Sequence, residues 1–234
     1  MKIAPLKFSG IALRLGIASI LLLNTVGCQS QTSDRAINAQ PLTTTPIASE
    51  SPAPAGNQAQ RFYSAKVTPQ GFGAIRVGMT VEEASQAAGT QLVALDGKAP
   101  YINESCSYVK LPDGPNGLEF MLNDNRIVRV DLSSQITKEI NNRPQLVDIT
   151  QEIRTISTLR GARIGDTEAQ IKSLYAGQLE ITDHKYIPGG HFMTVTSKAA
   201  EDRNYRLIFE TDGNRVKYIR AGQVPEIDLV ERCG

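Results

Sequence analysis

Arg76-Val77-Gly78-Met79-Thr80 and Arg163-Ile164-Gly165-Asp166-Thr167 match at Arg, Gly and Thr, with an aliphatic residue second in both, 87 positions apart. Further on, Leu118-Glu119-Phe120 and Asn125-Arg126-Ile127 return as Leu207-Ile208-Phe209 and Asn214-Arg215-Val216, now 89 positions apart. Two offsets that differ by two residues imply one small insertion between matching elements, so the chain contains a duplication.

Each copy opens in the same way. In Thr80-Val81-Glu82-Glu83 and Thr167-Glu168-Ala169-Gln170 the threonine hydroxyl can accept from a first-turn amide while the acid or amide three residues on reaches back, the pattern of a capping box. Val81, Ala84 and Ala88 in the first copy, and Ile171, Leu174 and Tyr175 in the second, recur at helical spacing; Gly89 and Gly177 stand where a left-handed C-terminal residue is wanted. Alternating stretches follow: 107–111, 118–122 and 126–132 in the first copy, 191–196, 205–210 and 215–219 in the second, separated by Asp/Gly/Asn turns. The expectation is an α+β fold of two similar halves, 61–145 and 146–234, each a short helix packed on an antiparallel meander. Residues 144–158 link the halves, with Ile153 and Ile156 as strand positions. The sheet face away from the helices is open to exposure, either as a place where another protein binds or equally as a solvated surface with no partner.

Outside this domain, Lys2, Lys7 and Arg14 precede an apolar run from Leu15 to Val26, too short for a comfortable membrane span, and residues 1–27 read as a signal peptide. Thr25-Val26-Gly27-Cys28 resembles the bacterial lipoprotein box, although threonine stands where leucine is usual. The resemblance implies cleavage before Cys28 and lipidation of that cysteine, with a plain secretory signal or an uncleaved anchor as the alternatives. Acyl chains contribute about 0.8 kcal/mol per buried methylene, enough for stable anchoring once two are present. Gln29 stands where an aspartate would resemble an inner-membrane retention signal, so in a two-membrane bacterium the expected location is the outer membrane, facing the periplasm. Residues 28–60 are rich in Ser, Thr, Pro, Gln and Ala and read as a disordered tether with a reach of about 30 Å.

Removal of the signal leaves 22 basic and 24 acidic residues, a formal charge of −2, which gives no electrostatic reason to expect nucleic acid. Cys28, Cys106 and Cys233 are the only cysteines. With Cys28 assigned to lipid, Cys106 and Cys233 form the one available pair, and outside the cytoplasm a disulfide is expected, two unpaired thiols being the alternative. The loop of roughly 126 residues would stabilise the fold by about 5 kcal/mol in the loop-entropy picture.

The least generic stretch runs from Asp183 through His184, Lys185 and Tyr186 to His191, because it holds both histidines of the chain. Its counterpart, Asp96 to Tyr101, has none. Imidazoles can ligate a metal or move protons, but two ligands fall short of a zinc site. Asp183, His184, Tyr186 and His191 are therefore a candidate binding loop, with a structural loop as the simpler reading. There is no Gly-x-Ser-x-Gly, Walker loop or His-Glu-x-x-His, and neither a catalytic residue nor a metal or cofactor is assigned. Asp124 and Asp212 read as turn residues, and Arg76 and Arg163 as solvated ion-pair partners.

The Gly-Met-Thr and Gly-Asp-Thr starts, each opening a helix before a meander, resemble the repeats of the β-lactamase inhibitor protein and of small outer-membrane lipoproteins of the SmpA/OmlA type. That family packs two helices per unit on the sheet, where one clear helix per half is read here. The resemblance implies a non-enzymatic module that binds or scaffolds an envelope protein. The alternatives are a metal-dependent or hydrolytic envelope enzyme, or a small-ligand sensor, using His184 and His191.

Overall fold

The computed structural model describes residues 55–101, 104–197 and 199–233. The signal segment, Cys28 and the tether up to residue 54 lie outside the described residues.

Helix α1 (Ala55–Ser64) precedes three short strands, β1 (Lys66–Thr68), β2 (Gly71–Phe72) and β3 (Ile75–Arg76). Helix α2 (Val81–Ala88) then leads into β4 (Val93–Ala94), β5 (Cys106–Lys110), β6 (Leu118–Asn123) and β7 (Arg126–Ser133). A hairpin, β8 (Gln135–Ile140) with β9 (Arg143–Asp148), connects to α3 (Thr150–Ile153), β10 (Ser157–Thr158) and α4 (Glu168–Leu174). Strands β11 (Leu179–Asp183), β12 (His191–Thr196), β13 (Tyr205–Thr211) and β14 (Val216–Gln223) complete the second copy.

Local chemistry explains why both copies start alike. The Thr80 amide donates to Glu83 and the Glu83 amide to the Thr80 hydroxyl, at 2.9 and 3.2 Å. Thr167 and Gln170 repeat the pair at 2.7 and 3.2 Å. Gly78 and Gly165, with φ of 94° and 82°, allow the turn that aims each helix. Their amides reach the carbonyls of Ile127 and Val216, while Arg126 and Arg215 return a bond to the carbonyls of Gly78 and Gly165. Each helix start is thus stitched to the last strand of its own meander in the same way.

The halves merge in one sheet of order β11-β12-β13-β14-β7-β6-β5-β4. At its centre β7 and β14 run antiparallel, with Asp131 opposite Arg220 and Leu132 opposite Ile219. Because Asp131 and Arg220 are also equivalent positions of the repeat, the approximate two-fold relating the halves passes through this pair. One face of the sheet, carrying Phe120, Val130, Leu132, Leu207, Phe209 and Ile219, packs with Val81, Ala84 and Ile171 into a single core that spans both halves.

Several expectations need correction. Each half supplies four strands to the sheet rather than three, because β4 and β11 add an edge on each side. A second helix accompanies α2 and α4 in each half, and α1 begins at Ala55, inside the segment read as tether. Ile153 is buried at the end of α3, not in a strand, and Ile156 is buried just before β10. The hairpin 135–148 was not anticipated at all.

Candidate functional site

Sheet alternation decides what becomes of the 183–191 loop. His191 shares a face with Met193 and Val195, towards α4, whereas Phe192 and Thr194 point to the opposite face. The Nδ1 atom of His191 lies 2.7 Å from Glu168 Oε1, and the Thr211 hydroxyl donates to the same oxygen at 2.5 Å. Burial alone would raise the Glu168 carboxyl, but the Thr211 and His191 contacts and the Lys172 ammonium outweigh it and leave the group below its ordinary value. The cluster ties α4 to the start of β12 and the end of β13.

His184 sits on the other face. Its ring stacks on Phe192 at 4.3 Å, Nε2 is 3.1 Å from Glu210, and Nδ1 accepts the amides of Tyr186 and Ile187. An Nδ1 that accepts two amides carries no proton, so this geometry selects the tautomer in which Nε2 donates to Glu210. Asp183 pairs with His191 across β11 and β12, and Tyr186 is exposed, with its hydroxyl donating to Glu231. The sequence neighbours His184 and His191 therefore do not share one site. Among the described residues, no three His, Cys, Asp or Glu groups converge as a metal site would require.

That second face was expected to be open. Instead, residues 224–233 fold back across it and end in a disulfide between Cys233 and Cys106 of β5, with Cα atoms 5.6 Å apart. Beneath this strap lies a buried ionic network. Arg129 pairs with Asp131 at 2.8 Å, and Arg220 with Glu210 at 2.6 Å. Arg129 also donates to the Tyr108 hydroxyl at 2.6 Å, which in turn donates to Asp131. Burial, followed by the Asp131 charge, pushes the Tyr108 phenol up. Burial, with Arg129 close by, lowers Arg220 in spite of Glu210, whereas Asp131 and Tyr108 hold Arg129 above its ordinary value against the same desolvation. No residue of this network stood out in the sequence. Charges at alternate strand positions ordinarily face solvent, and the available clue was an acid and a base at equivalent repeat positions, Asp131 and Arg220.

The most exposed structured element is the hairpin. Every residue from Thr137 to Leu146 is exposed, and Leu146 is 64% so. At the base Ile136 and Val147 pack on the core, and Ser134 accepts the Ile149 amide at 2.8 Å. Asn141 and Asn142, with φ of 53° and 59°, make the tight turn whose twist suits two adjoining strands. Strands β8 and β9 pair only with each other among the described residues, so both outer edges keep unused amides and carbonyls. Pro144 removes one donor from the β9 edge, and β8 is the better template.

The remaining candidates are structural. Asp212 accepts the amides of Asn214 and Arg215; Asp124, at φ of 47°, stands in a turn. The guanidinium groups of Arg76 and Arg163 donate to backbone carbonyls, and the Arg163 amide donates to the Asp166 carboxylate. Among the described residues no helix is long and apolar enough to cross a membrane. No family model, curated protein or solved structure matches this chain.

Proposed function

We propose that the chain is a non-enzymatic envelope lipoprotein, held to a membrane by lipid on Cys28, whose duplicated domain binds a protein partner through the 135–148 hairpin. One observation carries this reading: ten consecutive exposed residues form an ordered two-stranded finger with an open β8 edge. Hairpins of two strands are marginal in water by themselves. A partner strand added along β8 would supply the third strand and cover Ile140 or Leu146, according to the face on which its side chains lie. The lipid and the tether place such a finger near other envelope proteins, which suits a tethered binder.

The test removes the finger and nothing else. Residues 138–145 are replaced by Asn-Gly, leaving the base that packs on the core, and both chains are cross-linked in intact cells. Loss of the captured protein, with membrane attachment and thermal unfolding unchanged, is the expected result. Equal capture by the trimmed chain would overturn the assignment.

A further inference from the structure

The strap over the second sheet face offers its backbone carbonyls to the two buried arginines. Arg129 donates to the carbonyls of Glu226 and Leu229, both at 2.7 Å, and Arg220 to those of Ile227 and Leu229, both at 3.0 Å. Charged donors make these bonds stronger than ordinary amide contacts. Of the strap side chains only Glu226 and Ile227 are buried; Asp228, Leu229, Glu231, Arg232 and Cys233 are exposed. Side chains add to this: Ile227 is an apolar anchor, and the buried Glu226 carboxylate accepts from the Asn123 side-chain amide at 2.9 Å, so the face takes an extended peptide by its carbonyls and by an acid–aliphatic pair.

Under the strap Tyr108, Met121 and Val128 form an apolar cluster separate from the main core. Arg232 closes it, with its guanidinium 4.0 Å above the Tyr108 ring and paired with Glu119. The covalent latch is accessible: Cys233 is exposed, and a cleft of about 570 Å³ is lined by Cys106, Lys185 and residues 228–233. Exposed disulfides belong to the labile class, open to attack by a thiolate from solvent.

We propose that the second face of β7 and β14 is a binding site for an extended polypeptide segment, filled in the oxidised protein by the chain's own residues 224–233 and opened when a dithiol reduces Cys106–Cys233. A thiolate of the dithiol attacks the sulfur of Cys233, the S–S bond breaks, and Cys106 leaves as a thiolate that takes a proton. The second thiol of the reductant closes on the mixed disulfide and releases Cys233, so that two electrons and two protons have passed to the protein. A bound segment then offers carbonyls to Arg129 and Arg220 and an aliphatic side chain at the Ile227 position. This surface is independent of the hairpin.

Hydrogen exchange on the full chain, oxidised and then reduced with dithiothreitol, tests the latch. Amides of 226–231 should exchange at least about tenfold faster on reduction while β6 and β13 keep their protection; unchanged exchange in the strap would overturn the gating. Binding is tested with a fluorescent peptide of residues 224–232. Since the tethered strap competes at an effective concentration of about millimolar, the reduced full chain carries Ile227→Asp, or Ile227→Ser if the aspartate disturbs the sheet. Saturable binding to the reduced variant, and none to the oxidised wild type, is expected. A folded variant that takes up no peptide would refute the site.

Discussion

Glu168 shows how one residue carries both packing and pH dependence. Its carboxylate collects Thr211, His191 and Lys172 and is held below its ordinary value. A depressed folded-state value means that the stabilisation is full above the unfolded-state value near 4.5 and is lost as the pH falls through the lower folded one. Glu168→Gln should therefore cost about 1–3 kcal/mol at neutral pH, and urea unfolding should show the gap closing in acid; a gap independent of pH would contradict this. Arg129, 1% exposed, is a harsher case. Arg129→Met removes the cation paired with buried Asp131, leaving its charge to the Tyr108 hydroxyl, and should lower stability by about 3–5 kcal/mol, read by denaturant midpoint. The histidines illustrate the limit of reading a sequence by proximity. His184 and His191 are seven positions apart, yet the alternation of β12 sends His191 to Glu168 on the helix side, while the loop turns His184 onto Phe192 and Glu210.

Elements whose signals are local were legible, and those settled by distant contacts were not. Helices α2 and α4 and the three inner strands of each half announce themselves through capping boxes, glycines and alternation within a few residues. Strands β4 and β11 exist because a neighbouring strand offers an edge, a fact absent from their own composition. The hairpin was hidden by Pro144, which argues against a strand, and by its scarcity of apolar residues; the Asn141-Asn142 turn was the usable clue. The junction of the halves has its own requirement. A Cβ at Gly222 would lie 2.4 Å from the Val128 carbonyl oxygen and 2.9 Å from the Arg129 Cα, both backbone atoms of the central partner strand β7. Gly222→Ala should thus push β14 from β7 and cost about 1–3 kcal/mol, measured by thermal or denaturant unfolding. A neutral substitution would mean that the centre of the sheet yields easily.

At the scale of the whole molecule, duplication builds a continuous sheet, one face of which becomes the shared core and the other a seat for the strap. The hairpin interrupts this symmetry: it stands between β7 and α3, and among the described residues no counterpart follows β14, where the chain turns into the strap instead. The part that breaks the repeat is the part left without a covering, and on it rests the proposed binding role. Lipidation at Cys28 is a separate expectation of the same account: Cys28→Ala should move the protein out of the membrane fraction, and unchanged fractionation would oppose it. The most direct test of the central claim is site-specific photo-cross-linking in intact cells, with the reactive group at Lys138 on the hairpin or at Lys172, exposed on α4. The account predicts one adduct from Lys138 that is absent from Lys172 and lost in the Cys28→Ala chain. No adduct from Lys138, or the same adduct from both positions, would contradict it.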